Sequence, residues 1–370
     1  MARWTRSRLT AAAVLIVIAA MGAAHGRTLV RNLSRHHWED WRFFRHNKAH
    51  IASLADGFTQ PSAWPGLYRP LSTNVYYYLG RKLFGTRVEA YHLVNAACFA
   101  ANAVLVFLIA AHLLPGAWSL LPPLLFASRV AHAQVVCFTS EFQALSSVFL
   151  TLVATLLFLE GRSRESRRLE LAALAPFALA LLCKESSVVW PAILLVHARL
   201  LDRPGSWRRC LPALALAGAW AVVFALLRHA VGAGAPTGFA YDASLAVLGR
   251  AAAHLLSFSN LLAYTTSLDV PLPEAVERLS GTLVVRAGFA LLLAVEAGLL
   301  LRRPASRALG AAAFGFAWFL LGAAPFLFFE DRLFMRYGYF AHAGLALAVA
   351  ALLQAASASA RRVRGLTGSE

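Results

Sequence analysis

The chain has 370 residues, of which 59% are hydrophobic and only 14% are charged, and its mean hydropathy is +0.60. These values exclude a soluble globular protein, because apolar runs of about 18 residues or more are typical of transmembrane helices. The net charge of +17 does not indicate nucleic-acid binding, since the arginines occupy short loops between apolar runs, where charges set membrane topology.

About ten segments are predicted to span the membrane as helices, because lipid offers the backbone no hydrogen-bond partners. In chain order they are 9–26, 91–113, 117–136, 142–159, 169–183, 186–201, 210–228, 282–301, 306–328 and 338–356. The fold class predicted is an all-α polytopic membrane protein. Residues 1–356 would form one domain, and residues 357–370 a short cytoplasmic tail.

The first apolar segment has two interpretations. Arg3, Arg6 and Arg8 precede it, and Gly22-Ala23-Ala24 resembles a cleavage site, as in a signal peptide. We favour a retained first helix, because the loop after it carries the acidic residues described below.

The basic residues predict the orientation. Five basic clusters fall on one side of the membrane if residues 244–264 form an interfacial or re-entrant helix; the alternative is that 244–264 make an eleventh span. Both termini would then be cytoplasmic. The protein would lie in a bacterial-type inner membrane, with the long first loop, about 27–90, on the periplasmic side.

An acidic pair, Glu39-Asp40, follows the first apolar segment and stands between Trp38 and Trp41. Carboxylates at the mouth of a membrane helix can deprotonate a hydroxyl group or hold a cation. The plainer alternative is an ordinary interfacial loop whose acids pair with nearby arginines and lysines. Later in the same loop, residues 76–85 are predicted to form an interfacial helix with aromatic and basic residues at headgroup level.

Several short motifs follow one another in a characteristic order. They are Tyr68-Arg69-Pro70-Leu71-Ser72, Leu83-Phe84-Gly85, Tyr91-His92-Leu93-Val94-Asn95, Ser140-Glu141, Cys183-Lys184-Glu185 and Arg336-Tyr337-Gly338-Tyr339. The series resembles GT-C-fold glycosyltransferases, in particular the protein O-mannosyltransferase-like and tetratricopeptide-linked membrane proteins. The chain differs from them in lacking tetratricopeptide repeats and in having Gln134 where relatives often have an acid.

The resemblance implies transfer of a sugar from a polyprenyl-phosphate carrier to an acceptor hydroxyl of a protein or glycan, with inversion. A single displacement needs a base, and Asp40 is the predicted one. Glu39 would orient Asp40 or hold a divalent cation, Mg²⁺ or Mn²⁺. No ligand spacing in the chain specifies a metal.

A lipid phosphate leaves more easily beside positive charge, and four residues are predicted to bind it: Arg69, Lys184, Arg336 and Tyr337. Further site candidates are Glu141, Glu185, His92 and Tyr68. Each has a structural alternative. The cations would snorkel to the membrane surface, Glu185 would pair with a neighbouring cation, and His92 would bond within the helix bundle.

Two other functions are open: a transporter or lipid-carrier flippase, and a catalytically inactive scaffold of the same fold. Transporters favour charges near the bilayer midplane and internal repeats. In this chain the acids lie at helix ends and no repeat stands out, which favours the enzyme over the transporter.

Overall fold

The computed structural model describes residues 6–34, 38–64, 67–202, 204–230, 306–327 and 335–367, together with residues 255, 298 and 304. Every regular element within these ranges is helical. The α-helices are α1 (Arg6–Asn32), α2 (Trp38–His50), α3 (Leu54–Thr59), α4 (Tyr76–Phe84), α5 (Val88–Leu113), α6 (Leu121–Ala127), α7 (Ala133–Cys137), α8 (Phe142–Ser163), α9 (Arg167–Ala172), α10 (Leu174–Cys183), α11 (Trp190–Leu200), α12 (Leu211–Ala230), α13 (Arg307–Leu327) and α14 (Tyr339–Thr367).

Six helical stretches of the described ranges are long and apolar enough to cross a bilayer. They are Ser7–Asn32, Val88–Leu113, Thr139–Ser163, Ser206–Leu227, Arg307–Leu327 and Arg336–Ala360. Each exceeds the roughly 20 residues that a hydrocarbon core of about 30 Å requires. The predicted all-α class is therefore confirmed for the described residues, and these stretches are those of a membrane-embedded protein.

The other predicted spans differ from the structure. Residues 117–136 form two short helices, α6 and α7, rather than one continuous span. Pro122 and Pro123 stand in the first turn of α6, and Ser128-Arg129 lies between its end and α7. The hairpin segments contain α10 and α11, with 10 and 11 residues. The span at 282–301 and the interfacial segment at 244–264 lie outside the described residues. The predicted tail begins inside α14, which continues to Thr367.

Polar residues gather at the two ends of α8. At its C-terminal end, the carboxylate of Glu170 accepts from Arg167 at 2.8 Å and from Arg209 at 2.7 Å, while Arg162 contacts Asp202 at 2.9 Å. The residues described in the next subsection lie at its N-terminal end. A helix of this length spans about 33 Å, so the two polar ends are separated by about the thickness of a bilayer core.

The chain between α1 and α5 folds into a helical layer of its own. Its centre is Asn74, whose side chain donates to the carbonyls of Gly57 and Gln60, both at 3.1 Å, and whose own carbonyl accepts from Asn47 at 2.8 Å. Residues Pro70–Val75 form a π-helical turn that leads into α4, which occupies most of the helix predicted at 76–85. This layer presents Arg69 and the start of α2 to the end of the bundle.

Helices α13 and α14 touch through their backbones. A Cβ atom added at Gly315 would lie 2.6 Å from the amide nitrogen of Ala348, and one added at Gly344 would lie 2.6 Å from the carbonyl oxygen of Gly315. Small residues allow helices to approach this closely in membranes. The contact fixes the depth of α14, which follows directly on the turn that carries Arg336.

We expect Gly315→Leu to destabilise the protein by roughly 1–3 kcal/mol or more, because the new side chain meets backbone rather than a movable side chain. The control is Gly218→Leu on α12, where nothing lies within 4 Å of an added Cβ. Thermal unfolding in detergent measures both. Equal melting temperatures for the two variants would contradict the backbone contact.

Candidate functional site

Arg336 holds two carboxylates at the end of the bundle. Its Nη1 and Nη2 atoms donate to Oε2 and Oε1 of Glu39, each at 3.1 Å, and Nη1 also lies 3.3 Å from Oε1 of Glu141. All three side chains are nearly buried. The turn Met335–Gly338 supplies the arginine, the first turn of α2 supplies Glu39, and the turn before α8 supplies Glu141.

Asp40 points to a different partner from Glu39. Its Oδ1 accepts a hydrogen bond of 2.8 Å from the backbone N–H of Ser140, and the residue is completely buried. The Ser140 hydroxyl lies 3.4 Å from Oε2 of Glu39. The two acids therefore attach the start of α2 to the turn Thr139–Glu141, Asp40 through the backbone and Glu39 through Arg336.

Arg69 forms a second ion pair beside the first. Its Nε donates to Oε2 of Glu185 at 2.7 Å, its Nη2 contacts the other carboxylate oxygen, and its Nη1 donates to Gln143 at 2.6 Å. Burial alone would lower the pKa of Arg69, but the charge of Glu185 holds that pKa above its ordinary value. All three nitrogen atoms of this guanidinium therefore have a bonding partner.

Lys184 lies close to the acids and arginines of these two ion pairs. Its side chain is buried, and its Nζ atom lies 5.5 Å from the ring centre of Phe326 and 5.7 Å from that of Tyr337. Among the described residues, no carboxylate oxygen comes within 4.0 Å of this ammonium. The aromatic faces give a modest attraction, which does not replace a counter-ion.

The surroundings of Lys184 change its pKa. Burial lowers its pKa to about 8, and the negative charge of Glu141 opposes part of that fall. An ammonium removed from water without a paired anion is costly in free energy. An anion bound in front of Lys184 would restore the missing interaction, so this corner of the site is suited to a phosphate.

A hydrogen bond joins the segments that carry Arg69 and Lys184. The Ser72 hydroxyl donates to the carbonyl of Cys183 at 2.6 Å, which closes the C-terminal end of α10 immediately before Lys184. The widened turn Pro70–Val75 makes this contact possible, and such turns are frequent at functional sites. The geometry of the lysine is therefore set by the first-loop layer as well as by its own hairpin.

Most of the residues predicted from the sequence converge here: Glu39, Asp40, Arg69, Glu141, Lys184, Glu185, Arg336 and Tyr337. Two others lie apart from the cluster of charges. Tyr68 is adjacent to Arg69 but donates to the carbonyl of Phe58 at 2.9 Å, and His92 is completely buried on α5. The expectation that Glu185 pairs with a neighbouring cation is met by Arg69.

Four contributors were missed by sequence reasoning: the backbone amide of Ser140, the side chain of Gln143, and the rings of Phe138 and Phe326. Gln143 and Phe326 belong to no sequence motif. A phenylalanine near the end of an apolar helix looks the same in a sequence whether it faces lipid or an ammonium group.

The acids suggested a divalent cation, Mg²⁺ or Mn²⁺, as a cofactor at Glu39. In the part of the chain that the structure describes, no group of three or more His, Cys, Asp or Glu side chains is placed to hold an ion. Glu39 and Glu185 are bound to arginines, and Asp40 accepts from a backbone amide. Binding of Mg²⁺ or Mn²⁺ therefore stays a prediction, and the reaction proposed for this site uses only the side chains of the chain.

No family model matches the chain, and no curated protein matches it in sequence. The assignment of function therefore depends on the residues of the site.

We expect Lys184→Met to stabilise the ligand-free protein by roughly 0.5–2 kcal/mol, because it removes a buried charge and keeps the side-chain length. The control is Lys82→Met, on the exposed side of α4. Unfolding measured near pH 7 in detergent compares the two. For wild type, the contribution of Lys184 disfavours folding most below pH 8 and diminishes as the pH rises from about 8 to 10.5, since the unfolded chain then binds the extra proton. A lower stability for Lys184→Met would show that the ammonium has a partner.

Proposed function

We propose that this chain is a membrane glycosyltransferase that moves a sugar from a polyprenyl-phosphate carrier to an acceptor hydroxyl. The observation that carries the proposal is the buried ammonium of Lys184, which has no carboxylate partner among the described residues and lies beside two arginines. A buried cation of this kind at one end of a bundle of apolar helices suits a phosphate attached to a lipid.

The reaction needs positive charge at the leaving group and a base at the nucleophile. The acceptor oxygen bonds to the anomeric carbon of the sugar as the bond from that carbon to the phosphate oxygen breaks. The electron pair leaves with the lipid phosphate, which gains a negative charge, and the acceptor proton passes to a carboxylate. Lys184 and Arg336 supply positive charge for the first requirement, and the acids around Arg336 are available for the second.

Of the two carboxylates predicted to be catalytic, Glu39 is better placed to accept the proton. Asp40 is completely buried and bound to the Ser140 amide, so we assign it the role of holding α2 in position. The side chain of Glu39 is 11% exposed and lies against Arg336. This moves the base from Asp40 to its neighbour.

The distribution of charge supports an outward-facing site. Arg162, Arg167 and Arg209 gather at the opposite end of α8 from Glu141, and α14 ends in a run with Arg361, Arg362 and Arg364. Because basic residues favour the cytoplasmic side, the site would face the periplasm from a bacterial-type inner membrane. The acceptor would be a protein or a glycan on that side.

One observation favours a non-catalytic lipid-carrier protein as the second candidate. Glu39 is bound to Arg336 and Asp40 to a backbone amide, so in this conformation both acids are already engaged. A flippase or scaffold would bind the lipid phosphate and transfer nothing.

We expect purified protein in nanodiscs to consume a polyprenyl-phosphate-linked hexose from a panel of such donors when acceptor is present. Glu39→Gln should reduce turnover by about 10²–10⁴-fold, as loss of a positioned base does, and Asp40→Asn by less than about tenfold, because an amide oxygen can still accept from Ser140. Release of the lipid phosphate per folded molecule is the measurement.

The control is Glu160→Gln, which removes a carboxylate paired with Arg164 at the far end of α8. A larger loss in Asp40→Asn than in Glu39→Gln would return the base to Asp40. Carrier binding without any transfer by wild type would favour the non-catalytic alternative.

The affinity for a polyprenyl monophosphate is expected to fall by about tenfold per pH unit above about pH 8, because binding then requires Lys184 to take up a proton. Lys184→Arg should bind without this dependence, since a guanidinium stays charged over the range. Binding of the polyprenyl monophosphate to the protein in nanodiscs, measured between pH 7 and 10, gives the slope of affinity against pH. The same slope in wild type and Lys184→Arg would assign it to another group.

A further inference from the structure

We propose that the Glu39 carboxylate occupies the place on the Arg336 guanidinium that the donor phosphate takes when it binds, and that this exchange frees Glu39 to act as the base. The inference rests on the proposed function and adds to it the order of events at the site. It follows from the geometry of the Arg336 pair and from the position of Lys184.

The contact of Glu39 with Arg336 is the kind that a phosphate can replace. Both terminal nitrogens of the guanidinium donate to the two oxygens of one carboxylate, each at 3.1 Å. A phosphate presents two oxygens to the same planar pair of donors. In this structure, Glu39 therefore occupies the position on the Arg336 guanidinium that a bidentate phosphate would take.

The phosphate would arrive next to this contact. The Nζ atom of Lys184 lies 5.7 Å from the ring centre of Tyr337, the residue that follows Arg336. Burial lowers the pKa of Lys184, and the positive charge of Arg336 lowers it further. An anion held by the ammonium of Lys184 is thus a neighbour of the Arg336 guanidinium. Lys184 supplies the first attraction, and the exchange at Arg336 supplies the second.

Arg69 is not the arginine that exchanges. Its Nε, Nη1 and Nη2 atoms are all bound, and two partners on different segments, Glu185 and Gln143, hold it in place. Arg336 belongs to a short turn before α14, and the carboxylate that binds both of its terminal nitrogens comes from the first turn of α2. The pair joins the starts of two helices, so the contact can be exchanged without breaking a helix.

The exchange has a chemical consequence for Glu39. Both oxygens of the Glu39 carboxylate are engaged by Arg336, and release from the arginine makes them available to take the acceptor proton. The base would therefore become active only when the donor is present. Glu141, which also contacts Arg336 at 3.3 Å, can keep its place on the arginine during the exchange.

The experiment measures binding of a polyprenyl monophosphate to the protein in nanodiscs, with no acceptor present. Glu39→Gln should tighten binding by about tenfold, because the competing carboxylate is gone and the side-chain shape is kept. Asp40→Asn removes the same charge one residue away, at a carboxylate that binds the Ser140 amide, and should change the affinity by less than about threefold. Arg336→Gln in the Glu39→Gln background should cancel the gain.

The outcomes separate this inference from the proposed function. Failure of wild type to bind the lipid phosphate would overturn both. Binding that Lys184→Met weakens, but that Glu39→Gln leaves unchanged or weakens, would overturn the exchange alone. Inorganic phosphate serves as a second probe: affinity equal to that of the lipid would remove the lipid carrier from the proposed function and leave the exchange in place.

A folding defect in Glu39→Gln does not leave the question open. Glu39→Asp keeps the charge but shortens the side chain by one methylene, so it loosens the bidentate contact and should tighten phosphate binding by a smaller factor. Unchanged or weaker binding in a folded Glu39→Asp protein would count against the exchange.

Discussion

The contact between Glu39 and Arg336 is the one on which the rest of the site depends. It joins the first helix after α1 to the turn before the last helix, and the two residues are 297 positions apart. No local preference brings them together, so the pairing must come from the packing of the whole bundle. Once it forms, α2 is placed so that Asp40 reaches the Ser140 amide at 2.8 Å.

Buried charge explains why the remaining polar residues are arranged as they are. Arg69 and Arg336 each hold a carboxylate, which offsets most of the cost of removing their charges from water. Lys184 has the rings of Phe326 and Tyr337 beside its ammonium and, among the described residues, no carboxylate oxygen within 4.0 Å, and burial lowers its pKa. A group kept in such a position by the fold is hard to explain by stability, and strongly perturbed groups in polar clusters are more often functional.

The sequence predicted the helical class and the neighbourhood of the site, because apolar runs, loop arginines and ordered motifs are local signals. It could not separate the roles of Glu39 and Asp40. Two acids in the first turn of a helix are common, since they offset the helix dipole, and consecutive residues point about 100° apart. Which of them faces Arg336 is decided by tertiary packing.

The count of about ten spans is not confirmed by the described residues, for a related physical reason. Hydropathy measures how apolar a segment is, not whether its backbone continues as one helix. Residues 117–136 are apolar enough for a span, but the buried Arg129 interrupts them between α6 and α7. Likewise, α10 ends immediately before Lys184, where Ser72 from a distant segment binds the carbonyl of Cys183. The interruptions are therefore found where the polar end of the bundle is built.

The position of Arg336 in the site depends on the glycines of α13 and α14. A bidentate contact with both distances at 3.1 Å tolerates little displacement of Arg336, and a shift of about 1 Å is enough to degrade such an arrangement. The position of Arg336 is set by the depth of α14, and that depth is set by backbone contact at Gly315 and Gly344. The same helix pair brings Phe326 against Tyr337, with ring centres 4.8 Å apart, and so closes the aromatic wall beside Lys184. Apolar packing in the bundle interior thus determines the spacing between the two cations at its end, and with it the size of the anion that can bridge them.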